Sequence, residues 1–295
     1  MAPAGSARRR ALERLARTAL AEDRVRRDRT TRAVLPRAVP AEAVVLAQRR
    51  GVVSGAEAAA VAARAAGLTV VRVAQDGTPV RPGAVVLTVR GDARRILGAE
   101  RTVLNLLMHA SGVATATAHA VRAARPSRPA LAVLATRKTL PGLRDLEKDA
   151  VVHGGGRPHR RDLSDAILVK SNHVALVGLE PAVAAARRAA RPGEPVEVEV
   201  RTVREALRAA RAGAGTLLLD NTSPRTARAI VRALVDAGLR ARVSVELSGG
   251  ITAESLPRYR SVGADAVSLG ALTHSAPALP FHLRLRPLGL RPRPA

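Results

Sequence analysis

Two adjacent cations, Arg137 and Lys138, directly follow an apolar run in the segment V-L-A-T-R-K-T-L-P-G. Later apolar runs also end in polar residues: Lys170 closes I-L-V-K, Glu199 lies in V-E-V-E-V, and Asp220 closes L-L-L-D. If these runs are parallel strands of an α/β barrel, their carboxyl ends meet on one rim, where active sites form in such barrels. The pattern therefore predicts one cationic pocket that also contains carboxylates.

These residue types suit a substrate that carries several negative charges. Arginine can bind a carboxylate through parallel hydrogen bonds, whereas lysine acts as a point charge. Arg137 and Lys138 therefore predict a pocket for two different anionic groups. Glu199 and Asp220 offer the hard oxygen ligands that Mg²⁺ prefers, and they can also bind sugar hydroxyls. The alternative for these carboxylates is a structural role as caps of neighbouring backbone.

Glycine-containing turns follow the last apolar runs and predict a phosphate site. Because small residues leave backbone N–H groups open, turns late in a barrel can bind phosphate. The turns consist of Ser248, Gly249 and Gly250, and of Gly270 and Ala271, with His274 a short distance beyond. Further cations expected around a small anion are His159, Arg160 and Arg161.

The elements that must position these residues alternate between strand-like and helix-like patterns. Strands are predicted at Leu131–Ala135, Ala166–Val169, Val196–Val200, Thr216–Leu219, Val243–Leu247 and Ala266–Leu269. Helices are predicted at Pro181–Ala190, Val203–Ala212, Arg225–Ala237 and Ala253–Ser261. This alternation is typical of βαβ units and predicts a parallel α/β barrel domain over residues 111–275.

The first part of the chain shows a different pattern, which predicts a separate α+β domain over residues 1–110. Its predicted elements are a helix at Arg8–Ala21, strands at Ala43–Gln48 and Leu68–Val73, a helix at Ala56–Ala66 and a hairpin at Asp76–Val89. A long helix at Glu100–Ala123, broken at Ser111–Gly112, leads into the barrel. Because Pro280–Leu285 alternates, we expect residues 276–295 to return to the first domain and add a strand.

Composition limits the classes of function. The chain has no cysteine, which excludes disulfides and thiolate chemistry and leads us to expect a cytoplasmic protein. It shows neither an apolar run long enough for a membrane span nor a secretion signal. A net charge of +25 favours binding of polyanions. The aromatic residues are one Tyr and one Phe, which are too few to stack on the bases of a single-stranded nucleic acid. A basic nucleic-acid-binding protein is therefore the less favoured alternative to an enzyme that acts on anionic substrates.

Nine segments carry a family pattern in order along the chain. They are A-E-R-T-x-L-N-L-L (Ala99–Leu107), S-G-V-A-T (Ser111–Thr115), T-R-K-T-x-P-G-L-R-x-L-E-K-x-A-V-x-x-G-G-G (Thr136–Gly156), H-R (His159–Arg160), I-L-V-K-x-N-H (Ile167–His173), E-V-E-V (Glu197–Val200), L-D-N-x-S-P (Leu219–Pro224), S-G-G-I-T (Ser248–Thr252) and G-A-L-T-H-S-A-P-A-L (Gly270–Leu279). With these segments the chain resembles the quinolinate phosphoribosyltransferase family, and the long central motif is the most specific.

The resemblance implies an α/β fold with an N-terminal α/β sandwich domain and an open, incomplete (β/α) barrel of TIM-like type. It also implies a homodimer whose subunits share each active site. In the implied reaction, which uses Mg²⁺ and belongs to NAD synthesis, quinolinate and 5-phosphoribosyl 1-diphosphate give nicotinate mononucleotide, diphosphate and CO₂.

Site roles are carried over by resemblance, residue by residue. Quinolinate would be bound by Arg137, His159, Arg160, Lys170 and, from the other subunit, Arg101. Phosphoribosyl diphosphate would be bound by Lys138, Lys170, Glu199, Asp220 and His274, with its 5-phosphate on the backbone at Ser248, Gly249, Gly250, Gly270 and Ala271. Lys138 would neutralise the leaving group, and Glu199 and Asp220 would hold Mg²⁺ and stabilise positive charge on the ribose.

The chain departs from the family pattern at several positions. The family's E-D-L-G-x-G-D-x-T-T reads E-D-R-V-R-R-D-R-T-T at Glu22–Thr31. Pro158 stands where an Asn is usual, Ser171 where an acid is usual, and Arg201 where an acid is common. Pro158 resembles a sister group encoded beside molybdate-transport genes. The alternative enzyme is therefore a paralogue, of that type or from specialised metabolism, that acts on another aza-aromatic carboxylate.

Overall fold

The computed structural model describes residues 4–127 and 130–288. Within them, one compact unit contains residues 4–116, 141–154 and 276–288, and the other contains 117–127, 130–140 and 155–275. Residues 289–295, which we expected to return to the first domain with 276–288, lie outside the described part. In the described ranges no helix combines the length and the apolar character that crossing a membrane requires.

The first unit is an antiparallel sheet with helices. Its strands are β1 (Pro40–Ala47), β2 (Gly51–Val52), β3 (Thr69–Val73), β4 (Pro79–Val80), β5 (Val85–Asp92) and β12 (Phe281–Pro287). Its helices are α1 (Ala4–Glu22), α2 (Arg29–Val34), α3 (Ala56–Ala65), α5 (Arg144–His153) and the larger part of α4 (Ala93–Ala124). The main sheet has the order β12-β1-β5-β3. The strand predicted at Pro280–Leu285 is present as β12, which pairs with β1.

Two predictions for this unit are wrong. The segment Asp76–Val89 is no hairpin, because β4 pairs with β2 while β5 pairs with β1 and β3. The long helix is not broken at Ser111–Gly112, since α4 is continuous there. Gly112 instead allows close packing: a Cβ atom at this position would lie 2.3 Å from the carbonyl oxygen of Pro277.

The second unit is a parallel sheet with the order β6-β11-β10-β9-β8-β7. Its strands are β6 (Ala132–Leu134), β7 (Leu168–Val169), β8 (Glu197–Val200), β9 (Thr216–Asp220), β10 (Ser244–Ser248) and β11 (Ala266–Ser268). Its helices are α6 (Ser171–Val177), α7 (Leu179–Ala189), α8 (Val203–Ala212), α9 (Pro224–Asp236) and α10 (Ala271–His274), together with the end of α4. Among the described strands β6 and β7 are the two edges, so the barrel is open as expected.

Local signals explain where the barrel helices begin and end. Thr202 and Glu205 form a capping box at the start of α8, and Gly213 ends that helix with φ +98°. Ser223 caps α9 by accepting a hydrogen bond from the Thr226 N–H. The helix predicted at Ala253–Ser261 is wrong: the segment forms only a 3₁₀ turn at Leu256–Tyr259. Pro257 lacks the N–H that an α-helix interior requires.

Candidate active site

The predicted residues of the barrel unit lie at or just beyond the carboxyl ends of its strands. Arg137 and Lys138 follow β6, Lys170 follows β7, and Gly270 follows β11. In β8, Glu199 occupies the penultimate position. Asp220 and Ser248 end β9 and β10 and are paired in register. The shared edge that the strand pattern predicted is therefore present.

A buried cluster of His159, Glu197 and Glu246 lies inside this edge. The Nε2 atom of His159 lies 3.4 Å from Glu197 Oε2 and 3.5 Å from Glu246 Oε2. The second carboxylate oxygens, Oε1 of both glutamates, are buried and have no hydrogen-bond partner among the described residues. The donor atoms lie within 4.8 Å of one another, a spacing that would also suit a metal ion. One imidazole is thus shared by two buried carboxylates.

The charge of this cluster depends on His159. Burial of the ring opposes protonation, but hydrogen bonds and charge attraction from Glu197 and Glu246 outweigh it and raise the pKa of His159 to about 9. The N–H of Arg160 lies 2.6 Å from His159 Nδ1 and favours the neutral ring. Because two full charges act on Nε2 at a buried position, the imidazolium is favoured at neutral pH.

Glu197 and Glu246 are site residues that were not among those predicted from the sequence. A signal for both is present in the sequence. Each glutamate is flanked by apolar residues within a strand, and each lies two positions before a predicted site residue, Glu199 or Ser248. Alternate strand residues share a face, so these glutamates face the same side as the predicted residues.

Arg137 and Arg160 form the cationic side of the pocket. The Nε atom of Arg137 is buried and has no hydrogen-bond partner in the described part of the chain. Burial and the nearby charge of Arg137 lower the pKa of Arg160, while Glu197 acts in the opposite direction. Arg160 Nη1 donates to the carbonyl oxygen of Ala166 at 3.2 Å. Two guanidinium groups near each other, one with a free buried donor, favour binding of an anion.

A rim cluster of Glu199, Asp220 and Arg201 lies at the ends of β8 and β9. Arg201 Nη2 is 2.8 Å from Asp220 Oδ2 and 3.6 Å from Glu199 Oε1. The hydrogen bond from Arg201 Nη2 to Asp220 and the charges of both carboxylates raise the pKa of Arg201. The two carboxylates converge on one cationic nitrogen, so their oxygens are placed to share one cation. The carboxylate oxygens are hard ligands that fit Mg²⁺, although Arg201 Nη2 occupies the position between them.

The first predicted phosphate turn has a backbone geometry that requires glycine. Gly249 has φ +86°, and a Cβ atom there would lie 2.3 Å from Asn221 Oδ1. Ser248 Oγ accepts a hydrogen bond from Ser268 Oγ at 3.0 Å. At Gly270 a Cβ atom would lie 3.0 Å from both His274 Nε2 and the Cδ atom of Lys138. The structure thus brings Lys138 and His274 together over the second turn. Gly250 and Ala271 complete the two turns.

The backbone N–H groups of Lys170 and Arg161 make local hydrogen bonds, and Arg101 lies in the first unit. Lys170 is exposed, and its backbone N–H donates to His173 Nδ1 at 2.9 Å. The N–H of Arg161 donates to Asp165 Oδ2 at 2.8 Å. Arg101 is exposed on α4 and belongs to the first unit, so its role in a shared site stays a prediction.

Comparisons with known proteins show the family of this chain. Family models for the C-terminal and N-terminal domains of quinolinate phosphoribosyl transferase match residues 113–284 and 28–111. A probable nicotinate-nucleotide pyrophosphorylase (carboxylating) of Methanothermobacter thermautotrophicus is 43% identical over 262 residues, 88% of this chain and 94% of its own. The Rattus norvegicus nicotinate-nucleotide pyrophosphorylase (carboxylating) is 40% identical over 259 residues, 86% of this chain and 85% of its own.

Solved structures give the same result. The nicotinate-nucleotide pyrophosphorylase of Francisella tularensis superposes with a TM-score of 0.85 at 31% identity, covering 94% of this chain and 96% of its own. NadC from Streptococcus pyogenes superposes with a TM-score of 0.83 at 36% identity, covering 92% of this chain and 95% of its own. Fold, matched domains and sequence identity together show that this chain belongs to the quinolinate phosphoribosyltransferase family.

Proposed function

We propose that this chain is a carboxylating nicotinate-nucleotide pyrophosphorylase. This pentosyltransferase transfers the phosphoribosyl group of 5-phosphoribosyl 1-diphosphate to quinolinate and releases diphosphate and CO₂, giving nicotinate mononucleotide for NAD synthesis. The names of the relatives support this reaction. Within the chain, the observation that carries it is the buried Nε of Arg137, which has no hydrogen-bond partner among the described residues and for which an anion beside the Arg160 charge would supply an acceptor.

The acceptor pocket binds a dicarboxylate through its fixed cations. Arg137 and Arg160 supply forked donors that match carboxylate geometry, and the imidazolium of His159 adds a positive charge beside them. These groups orient the pyridine ring so that its nitrogen faces the sugar C1. The ring nitrogen attacks as diphosphate leaves. The resulting pyridinium stabilises negative charge at C2, so the bond to the 2-carboxylate breaks, CO₂ departs, and C2 takes up a proton from water.

The rim residues act mainly through electrostatics. Lys138 and His274, which meet at Gly270, stabilise the negative charge that builds up on the departing diphosphate. Lys170 adds a further positive charge. Glu199 and Asp220 stabilise the positive charge that develops on the ribose. When bound between these carboxylates, Mg²⁺ would supply Lewis-acid stabilisation of diphosphate oxygens. The glycine turns at Ser248–Gly250 and Gly270–Ala271 offer backbone N–H groups to the 5-phosphate.

A homodimer in the cytoplasm is part of the proposal. Arg101 is exposed on α4 in the first unit, whereas the other predicted acceptor-binding residues belong to the barrel unit. In the proposed dimer, Arg101 of a second copy completes the acceptor pocket. The absence of cysteine is compatible with a reducing compartment.

A product assay tests the reaction directly. Purified chain is mixed with Mg²⁺, phosphoribosyl diphosphate and quinolinate labelled with ¹³C at the 2-carboxylate, and nicotinate replaces quinolinate in a matched reaction. We expect unlabelled nicotinate mononucleotide and ¹³CO₂ from quinolinate, and little product from nicotinate, which lacks the second carboxylate. If the folded protein forms no product from quinolinate, the proposal is wrong and other aza-aromatic carboxylates become the acceptors to screen.

A further inference from the structure

Arg201 is the residue from which we draw a further inference. It is the first residue after β8, at the position where the sequence departs from the acid common in the family. Its Nη2 atom contacts both carboxylates of the rim cluster, at 2.8 Å from Asp220 and 3.6 Å from Glu199. A cation supplied by the chain itself therefore stands between the two predicted metal ligands.

The backbone and the side chain of Arg201 differ in how firmly they are held. The Arg201 N–H donates to Glu205 Oε2 at 2.8 Å, beside the capping box that starts α8. The side chain, in contrast, is 57% exposed, while those of Glu199 and Asp220 are 9% and 17% exposed. A guanidinium that faces solvent can leave the cluster and remain hydrated. Its departure leaves the two mostly buried carboxylates available to another cation.

The Arg201 guanidinium and a metal ion cannot both occupy the position between Glu199 and Asp220. A divalent cation held by Glu199 and Asp220 would lie at contact distance from the guanidinium nitrogen, where like charges repel each other even near a protein surface. Both carboxylates are attracted to whichever cation is present. Arg201 and a metal ion therefore compete for the same oxygens.

We propose that Arg201 is a displaceable internal cation that occupies the Glu199–Asp220 pair and must move aside before a divalent metal ion binds. The proposal rests on the proposed function and deepens it, since it concerns how the same site acquires its metal. It implies that this chain needs a higher metal concentration than it would with a neutral residue at position 201. In the unliganded protein Arg201 also offsets part of the negative charge of the carboxylate pair.

Binding of Mn²⁺ to the full chain tests this competition. Free Mn²⁺ is followed by electron paramagnetic resonance in titrations of the wild type, Arg201→Gln and Arg204→Gln, without substrates. Arg204 is a matched control because it is an exposed arginine three residues further along with no described contact to the carboxylate pair. We expect Arg201→Gln to lower the dissociation constant about tenfold, since removing an adjacent charge shifts such equilibria by a unit or more. Arg204→Gln should leave it unchanged.

Further variants assign the effect to the carboxylate pair. Arg201→Lys retains a positive charge and should stay near the wild type. Adding Glu199→Gln to Arg201→Gln should abolish the gained affinity. Equal affinity in wild type and Arg201→Gln, including no measurable binding by either, overturns the proposal, as does an equal gain in Arg204→Gln. Because no turnover is measured, failure of the proposed reaction would not produce these results.

Discussion

The buried cluster and the rim cluster carry the same kinds of charged groups, but they differ in their exposure to water. Each places two carboxylates around one cation, His159 in the first and Arg201 in the second. The side chain of His159 is 16% exposed and that of Arg201 is 57% exposed. In the buried cluster water cannot replace the cation, so the cation stays in place at neutral pH. At the rim water can replace it, so the cation can be exchanged for a ligand.

This difference separates two tasks in one barrel. The buried cluster holds His159 in place and gives it a positive charge beside Arg160, which suits a fixed acceptor pocket. The rim cluster leaves its carboxylates available to a substrate or metal that arrives from solvent. We therefore expect variants of the buried cluster to change the stability of the fold, and variants of the rim to change activity or metal binding.

The largest expected effect on stability is that of His159→Asn. Asn tolerates the left-handed backbone of this position, φ +52°, so the change removes mainly the cation. Two buried carboxylates are then left facing each other, and breaking such a buried pair costs about 3–5 kcal/mol of unfolding free energy. Urea unfolding monitored by circular dichroism measures the loss.

A double variant shows whether this loss comes from the carboxylates. Adding Glu246→Gln to His159→Asn removes one of the facing charges and should restore part of the stability. If the double variant is less stable than His159→Asn by the full additive amount, the charge explanation is contradicted.

On the rim, Lys138→Ala is expected to lower turnover rather than stability. Lys138 is exposed and meets His274 at Gly270, so its removal leaves the core intact and weakens stabilisation of the leaving diphosphate. Loss of one such electrostatic group lowers kcat by about 10²–10³-fold. Steady-state kinetics with quinolinate measures kcat, and Arg204→Ala serves as an exposed control. A large rise in KM at unchanged kcat would contradict this role.

The buried cluster should make the stability of the fold depend on pH. His159 has a folded-state pKa of about 9 against an ordinary value of 6.5, so its cluster is fully stabilised below about pH 6.5. As pH rises through about 9 the proton is lost from the folded protein, and about 3 kcal/mol of stability is lost with it. Urea unfolding between about pH 6 and pH 10 measures the slope. Glu246→Gln removes one of the charges that raise the pKa, and an unchanged slope in this variant would refute the assignment.

Arg160→Ala should mainly weaken binding of the acceptor. Hydrogen bonds to charged groups contribute about 1.5–3 kcal/mol, which corresponds to a rise in KM for quinolinate of roughly 10–100-fold. The KM for phosphoribosyl diphosphate should change little, since that substrate is assigned to the rim. Equal increases in both constants would show that the pocket and the rim are not separate.

The strand pattern allowed much of the barrel to be predicted because local signals mark its elements. The prediction Val203–Ala212 coincides with α8, since a capping box begins this helix and Gly213 ends it. The polar residues at the strand ends share an edge because parallel strands bring their carboxyl ends together. The same reasoning failed at Ser111–Gly112, where the small residues serve contacts with distant segments and do not interrupt the helix.

The two clusters could be predicted only in part, because each joins residues from different strands or loops. Glu197 and Glu246 are 49 positions apart in the numbering, and nothing local shows that both reach His159. Arg201 could be recognised only as a departure from a family pattern, whereas its contact with Asp220 depends on the register of neighbouring strands. Pairing across a sheet, which periodicity does not give, determines which charges meet.

The smallest expected effect is that of Arg201→Gln on stability. The guanidinium is exposed, so water and the glutamine amide replace its contacts with Asp220 and Glu199, and the urea midpoint should stay that of the wild type within experimental error. The measurement is the same urea titration as for His159→Asn, at one pH and salt concentration. A loss approaching that of His159→Asn would mean that the rim cation is as permanent as the buried one. It would then be part of the fold and could not yield its place to a metal ion.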